Sequence, residues 1–168
     1  MHRIFTTLLI LAISLNSVAL HAQTSELPAI ERFKSVGDFR KAEKQVREAL
    51  NWTTQTSSFA NKAKRNQIKQ YTKDFFAKSG YLWYAPAKKV AKFRNNSEYG
   101  FQFQVGWMRY VLTYEYSKNK LENHYQAMLH VLKFYQEHKA TFGRNSYLEK
   151  MKKLKANKEL KKFIESEL

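Results

Sequence analysis

Apolar residues recur at three- and four-residue steps over most of this chain, which is the pattern of helices buried along one face. Phe39, Ala42, Val46, Ala49 and Leu50 predict a helix capped by Asp38 and running to about Trp52. Thr53 to Ser58 is polar and β-branched and reads as a turn. A second helix is expected from roughly Phe59 to Lys78, closed by Ser79-Gly80, with Ile68, Tyr71 and Phe75 on one face. Tyr81-Leu82-Trp83-Tyr84 is an apolar link, and Pro86 suits the first turn of a short helix from Ala87 to Phe93. Asn95-Asn96-Ser97 marks a turn and a cap.

The run from Tyr99 to Tyr116 fits two patterns. Tyr99, Phe101, Phe103, Val105 and Trp107 alternate with Gln and Gly as a strand would. As a helix the run has two apolar stripes, Phe101-Val105-Met108-Leu112 and Phe103-Trp107-Tyr110-Tyr114, and would lie covered at the centre of the fold. A helix is expected because its neighbours are helical and no partner strand is evident, although the pattern alone leaves both open from Tyr99 to Trp107. Asn119 with Glu122 resembles a capping box. It opens a helix with the stripe Leu121, Tyr125, Met128, Leu132, Tyr135, and Gly143 ends that helix. Two short helices follow, carrying Leu148, Met151, Leu154 and then Leu160, Phe163, Ile164, Leu168. The expectation is an all-α single domain of about five to seven helices over 37–168, as an antiparallel bundle or stacked helical hairpins. No convincing internal repeat is found, so a tetratricopeptide-like solenoid is kept only as an alternative.

Composition agrees with helices joined by short loops, with five Gly and two Pro in 168 residues. Three Trp, ten Tyr and twelve Phe supply bulk for a core. Residues 1–22 have another design. Arg3 is the one charged side chain before Glu26, Ile4 to Leu20 is mostly apolar, and small residues end at Ala19 and Ala22. This is the layout of a signal peptide cleaved near Ala19 or Ala22. As a membrane anchor it would be near the short limit of about 20 apolar residues, and no later stretch could span. Gln23 to Val36 reads as a partly ordered leader. Export argues against ATP- or NAD-driven chemistry. With no cysteine, disulfides, thiolate zinc sites and a lipid-modified cysteine are excluded. The setting expected is periplasmic or secreted.

The formal net charge is +16, and the excess is local. Residues 51–94 hold ten basic side chains and one acid, Asp74; residues 139–168 hold nine and four. Lys62, Arg65, Lys69 and Lys73 form a stripe on the second helix, and Lys64, Lys88, Lys89, Lys92 and Arg94 follow in sequence. Charges within a Debye length of ~8 Å act as one field. This is the candidate binding surface, for an acidic envelope protein or an anionic envelope polymer or lipid surface. The compartment argues against nucleic acid. A solvated helix face is the plain alternative.

No catalytic, metal or cofactor site is expected. His124, His130 and His138 are spaced by six and eight, whereas a helical two-His metal site uses four, so solvated or edge histidines are expected. Nucleophile elbows, phosphate-cradling loops and dinucleotide fingerprints are absent. Trp52, Trp83, Tyr84 and Trp107 could line a groove or pack in the core. Binding or scaffolding in the cell envelope is therefore the first reading. The alternatives are an enzyme acting on envelope glycans or lipids, using Glu115 and His124, and a helical carrier with an apolar cavity near Trp107 and Tyr114.

Ala49-Leu50-Asn51-Trp52, the run Gly106 to Leu112 and the run Lys158 to Ile164, with Ala22-Gln23 at the expected cleavage point, resemble small secreted helical proteins of unknown function from Bacteroidota-type bacteria. The resemblance implies export and an all-helical fold, and it carries no catalytic residues.

Overall fold

A computed structural model describes residues 26–56, 60–95 and 97–168. The expected signal peptide and its cleavage points lie outside the described residues, as do Ser57, Ser58, Phe59, Asn96 and the side chain of Arg94. Six α-helices are described, and no strand among the described residues: α1 (Val36–Gln55), α2 (Lys62–Lys78), α3 (Ser97–Thr113), α4 (Lys120–Phe142), α5 (Ser146–Ala156) and α6 (Leu160–Ser166). Among those residues no helix is long and apolar enough to cross a membrane.

The cap of α1 is Ser35, not Asp38. Asp38 is the fourth residue of a capping box, taking the Ser35 backbone N–H at 3.0 Å while the Ser35 hydroxyl accepts from Asp38 N–H. A side chain three residues inside the helix reaches back as readily as a cap residue reaches forward. Asn61 caps α2 from a left-handed backbone (φ 50°), so that helix begins three residues after the expected start at Phe59. The leader is anchored. Ile30 is buried in a 3-10 turn, and the Phe33 ring meets Phe39 edge-on at 4.9 Å.

The expected helix from Ala87 to Phe93 is instead a turn followed by a 3-10 helix, Lys92–Asn95. Tertiary bonds hold this segment. Tyr147 OH donates to Val90 O at 2.7 Å, Ala87 N–H donates to His124 Nε2 at 2.8 Å, and Val90, Ala91 and Phe93 are buried.

The ambiguous run is helix α3, and it is the centre of the molecule. Residues Phe101 to Met108 are buried without a break. A strand would bury alternate residues on one face; a helix buried all round must be wrapped by its neighbours. α4 does most of the wrapping and runs antiparallel to α3. Tyr99 lies against Tyr135 and Phe142, Gly106 against Ala127, and Trp107 against His124. Gly106 permits this approach, because a Cβ there would sit 2.5 Å from His130 Cβ. α5 is tied to α4 by Tyr135 OH donating to Glu149 at 2.7 Å, and α6 by Lys161 to Glu122 at 2.6 Å. The Asn119 cap of α4 is present, but Glu122 does not complete a box. It bonds Gln126 and Lys161 instead.

Candidate functional site

Ile68, Thr72, Phe75 and Phe76 of α2 are buried. Phe75 meets Phe39 of α1 and Phe33 of the segment before it at 5.3 and 6.4 Å, and α3 touches the same helix through Gln104, which donates to Thr72 Oγ1 at 3.3 Å. Those contacts decide which basic residues remain outside. Lys62 and Lys73 are exposed. Lys69 is partly buried, with its ammonium 5.8 Å from the Phe101 ring. Lys64 lies 4.7 Å over the Trp52 ring. Such long side chains cover apolar surface with their stems and keep the charged head wet.

Arg65 does not belong to this surface. It is 4% exposed, donates to the carbonyls of Thr53 and Thr56 at 3.1 and 3.3 Å, and meets Glu98 Oε1 at 2.5 Å. The expectation of a four-residue basic stripe is corrected to three. In helical projection Arg65 shares its flank with Thr72 and Phe76, which are also buried. The buried arc of α2 is therefore wider than its apolar residues indicate. Arg65 ties the C-terminal end of α1 to the first turn of α3, where a carboxylate is favoured.

Lys88, Lys89 and Lys92 are exposed on the segment that packs against the other side of α3. Phe93 meets Phe103 at 5.7 Å, while α2 covers Phe101. Lys89 approaches Glu167 at 4.0 Å, and Lys92 stands 6.0 Å over the Tyr147 ring. The two groups of lysines thus sit on segments that flank one helix, itself about 10 Å wide.

Charge is sorted between inside and outside. Every described lysine other than Lys64 and Lys69 is exposed. Many carboxylates are drawn in against a partner. Asp38 completes the Ser35 capping box of α1; Glu43 accepts from Tyr81 OH at 2.7 Å and Arg47 at 3.3 Å; Glu98, Glu122 and Glu149 join helices. Hydrogen bonds from Lys139 and Tyr135 hold the Glu149 carboxyl down to about 2, and those from Gln126 and Lys161 lower that of Glu122.

Of the three α4 histidines, His124 differs from the expectation of solvated or edge rings, while His130 and His138 are half-buried. His124 is buried against Trp107, at 4.6 Å between ring centroids. Its Nε2 accepts from Ala87 N–H, so Nδ1 carries the proton and donates to Lys120 O at 2.6 Å. Both ring nitrogens are used by backbone, and burial lowers its pKa. Glu115 is exposed in a left-handed turn (φ 48°). Neither His124 nor Glu115 lines any of the described hollows. Trp107 is fully buried, its indole donating to Trp83 O at 2.9 Å, and Tyr114 is 59% exposed. Aromatic rings of Trp83 and Tyr84 fill the space beside Trp107. Among the described residues no group of three or more His, Asp or Glu could hold a metal ion.

Sequence reasoning passed over the chain of contacts behind Arg65. Gln102, fully buried, donates from Nε2 to Glu98 Oε1 at 2.9 Å and pairs through Oε1 with His130 Nε2 at 2.9 Å. The signal was the pair of glutamines, Gln102 and Gln104, in the otherwise apolar run from Phe101 to Met108, which require partners once buried.

No family model matches this chain, and no curated protein or solved structure matches it.

Proposed function

We propose that this protein is an exported helical binding or scaffold protein of the bacterial cell envelope. Its ligand is an acidic protein or an anionic polymer or lipid surface, held by Lys62, Lys69, Lys73, Lys88, Lys89 and Lys92. The supporting observation is the sorting of charge. Asp38, Glu98, Glu122 and Glu149 are engaged in a capping box or in interhelical pairs, whereas the lysines point outward from segments on both flanks of α3. The surface acts by attraction, and salt weakens it. The layout of residues 1–22 and the resemblance noted above support the exported setting.

Three exposed lysines test this. Lys62→Glu, Lys73→Glu and Lys88→Glu together should weaken binding to vesicles of anionic phospholipid, or to lipopolysaccharide, on the order of a hundredfold at low salt, since each lysine contributes about 1 kcal/mol near such a surface. A matched reversal at Lys152, Lys155 and Lys162, exposed on α5 and α6, should weaken it much less. Equal losses from both triples would mean that net charge, not this surface, does the binding. Arg65 is kept out of the test because its loss would disturb the fold.

A further inference from the structure

The seam between α3 and α4 carries a second cationic feature, made by residues other than those of the lysine surface. Two hollows, of about 290 and 320 Å³, adjoin along the seam between these helices. Both are lined by Arg109, His130 and Lys133. The end of α1 closes one of them with Thr54 and Gln55. Hollows of this size are at the lower end of those that hold small ligands.

The floor is fixed by bonds. Gln102 gives its amide N–H to Glu98, so its Oε1 must accept, and the donor is His130 Nε2–H. His130 therefore carries a proton on Nε2, and with its pKa pushed down to about 4 it is neutral near pH 7. Gly106 fixes the depth of the seam, since a side chain there would collide with His130. The rim is positive. No carboxylate among the described residues pairs with Arg109. Lys133 has only Glu137, loosely at 3.9 Å, and both side chains are exposed.

We infer that this seam binds a small anion, a phosphate or carboxylate group, between the guanidinium of Arg109 and the ammonium of Lys133, above the His130–Gln102 floor. A planar guanidinium presents two parallel N–H donors to either group, and an ammonium adds a point charge. The cations of the rim also bear on the titration of His130. Burial, with Arg109 and Lys133 adding to it, pushes His130 down to about 4, and desolvation lowers Arg109. An anion placed here offsets each of these. The charged groups facing His130 are Arg109 from α3 with Lys133 and Glu137 from α4; α1 brings only the uncharged Thr54 and Gln55.

The test titrates the protein with inorganic phosphate and, separately, with succinate at constant ionic strength, following the histidine ring resonances. Saturable binding should raise the His130 midpoint by roughly one unit, as a nearby opposite charge does, and leave His124 unmoved. Arg109→Gln and Lys133→Gln should each weaken binding by roughly tenfold, with melting temperatures near that of the parent. The triple reversal at Lys62, Lys73 and Lys88 should retain it, which separates this site from the lysine surface. Saturation by phosphate alone or by succinate alone identifies the group the seam takes. A response linear in concentration, or one of equal size in the Arg109→Gln protein, overturns the inference.

Discussion

His124 and His130, six residues apart on α4, are both pushed toward the neutral form by burial, which the charges of Arg109 and Lys133 reinforce at His130. Each folded pKa lies below the ordinary 6.5, that of His130 at about 4. The unfolded chain therefore takes up protons first as pH falls. The stabilisation is complete above about 6.5 and is lost between there and about 4. Urea midpoints should fall from pH 7.5 to pH 4.5, and His130→Gln should flatten part of that slope; an unchanged slope in the variant would show that His130 does not carry it. Below this window Glu149 and Glu122, whose pKa values are lowered, lose their contributions as pH falls from 4.5 toward about 2. Arg65 is the other residue with a large individual effect. Removing one partner of a buried pair strands the other, at a cost of about 3 kcal/mol. Arg65→Gln should therefore lower the melting temperature by roughly 10 °C. A change within a degree or two would place Arg65 among the surface cations after all. Its role was hidden in the sequence because the sequence shows a stripe of charge but not the helix that will cover one edge of it.

At the scale of elements, the seam between α3 and α4 shows where local preference yields to packing. Alanine is the better helix former by about 1 kcal/mol, yet Gly106 has Ala127 Cα and His130 Cβ 3.0 and 2.5 Å from where a Cβ would stand. Gly106→Ala should destabilise the protein by about 1–3 kcal/mol net, as overpacking does. The same change at Gly37, whose nearest such neighbour is Ser35 Oγ at 3.5 Å, should be close to neutral or stabilising. Chemical denaturation of the two variants provides the comparison, and a stable Gly106→Ala protein would disprove the tight seam. The strongly periodic helices were legible in the sequence. α4 lies between its expected ends, Asn119 and Gly143, whereas α1 and the start of α2 are displaced by a few residues, because capping geometry depends on which side chain reaches back. The helix from Ala87 to Phe93 was not borne out. Its backbone bonds to His124 and Tyr147 from other helices, and no local pattern announces those partners.

On the scale of the whole molecule, an all-helical single domain follows from hydrophobic spacing, few glycines and prolines, and abundant aromatics. The helical state of Tyr99 to Trp107 was inferred from its neighbours. It became definite only when every side was seen to be covered, since a run apolar on two faces is compatible with strand or helix until something packs on it. Net charge and its concentration in residues 51–94 were likewise in the sequence. Tertiary structure decided which charges face water. It withdrew Arg65 into an ion pair, used carboxylates as internal fastenings, and left Arg109 and Lys133 together over a neutral histidine. Periodicity reports which face of each helix is apolar, because that is a local property of 3.6 residues per turn. It cannot report which helix arrives at that face, at what depth, or bearing which carboxylate, because those contacts join residues tens of positions apart.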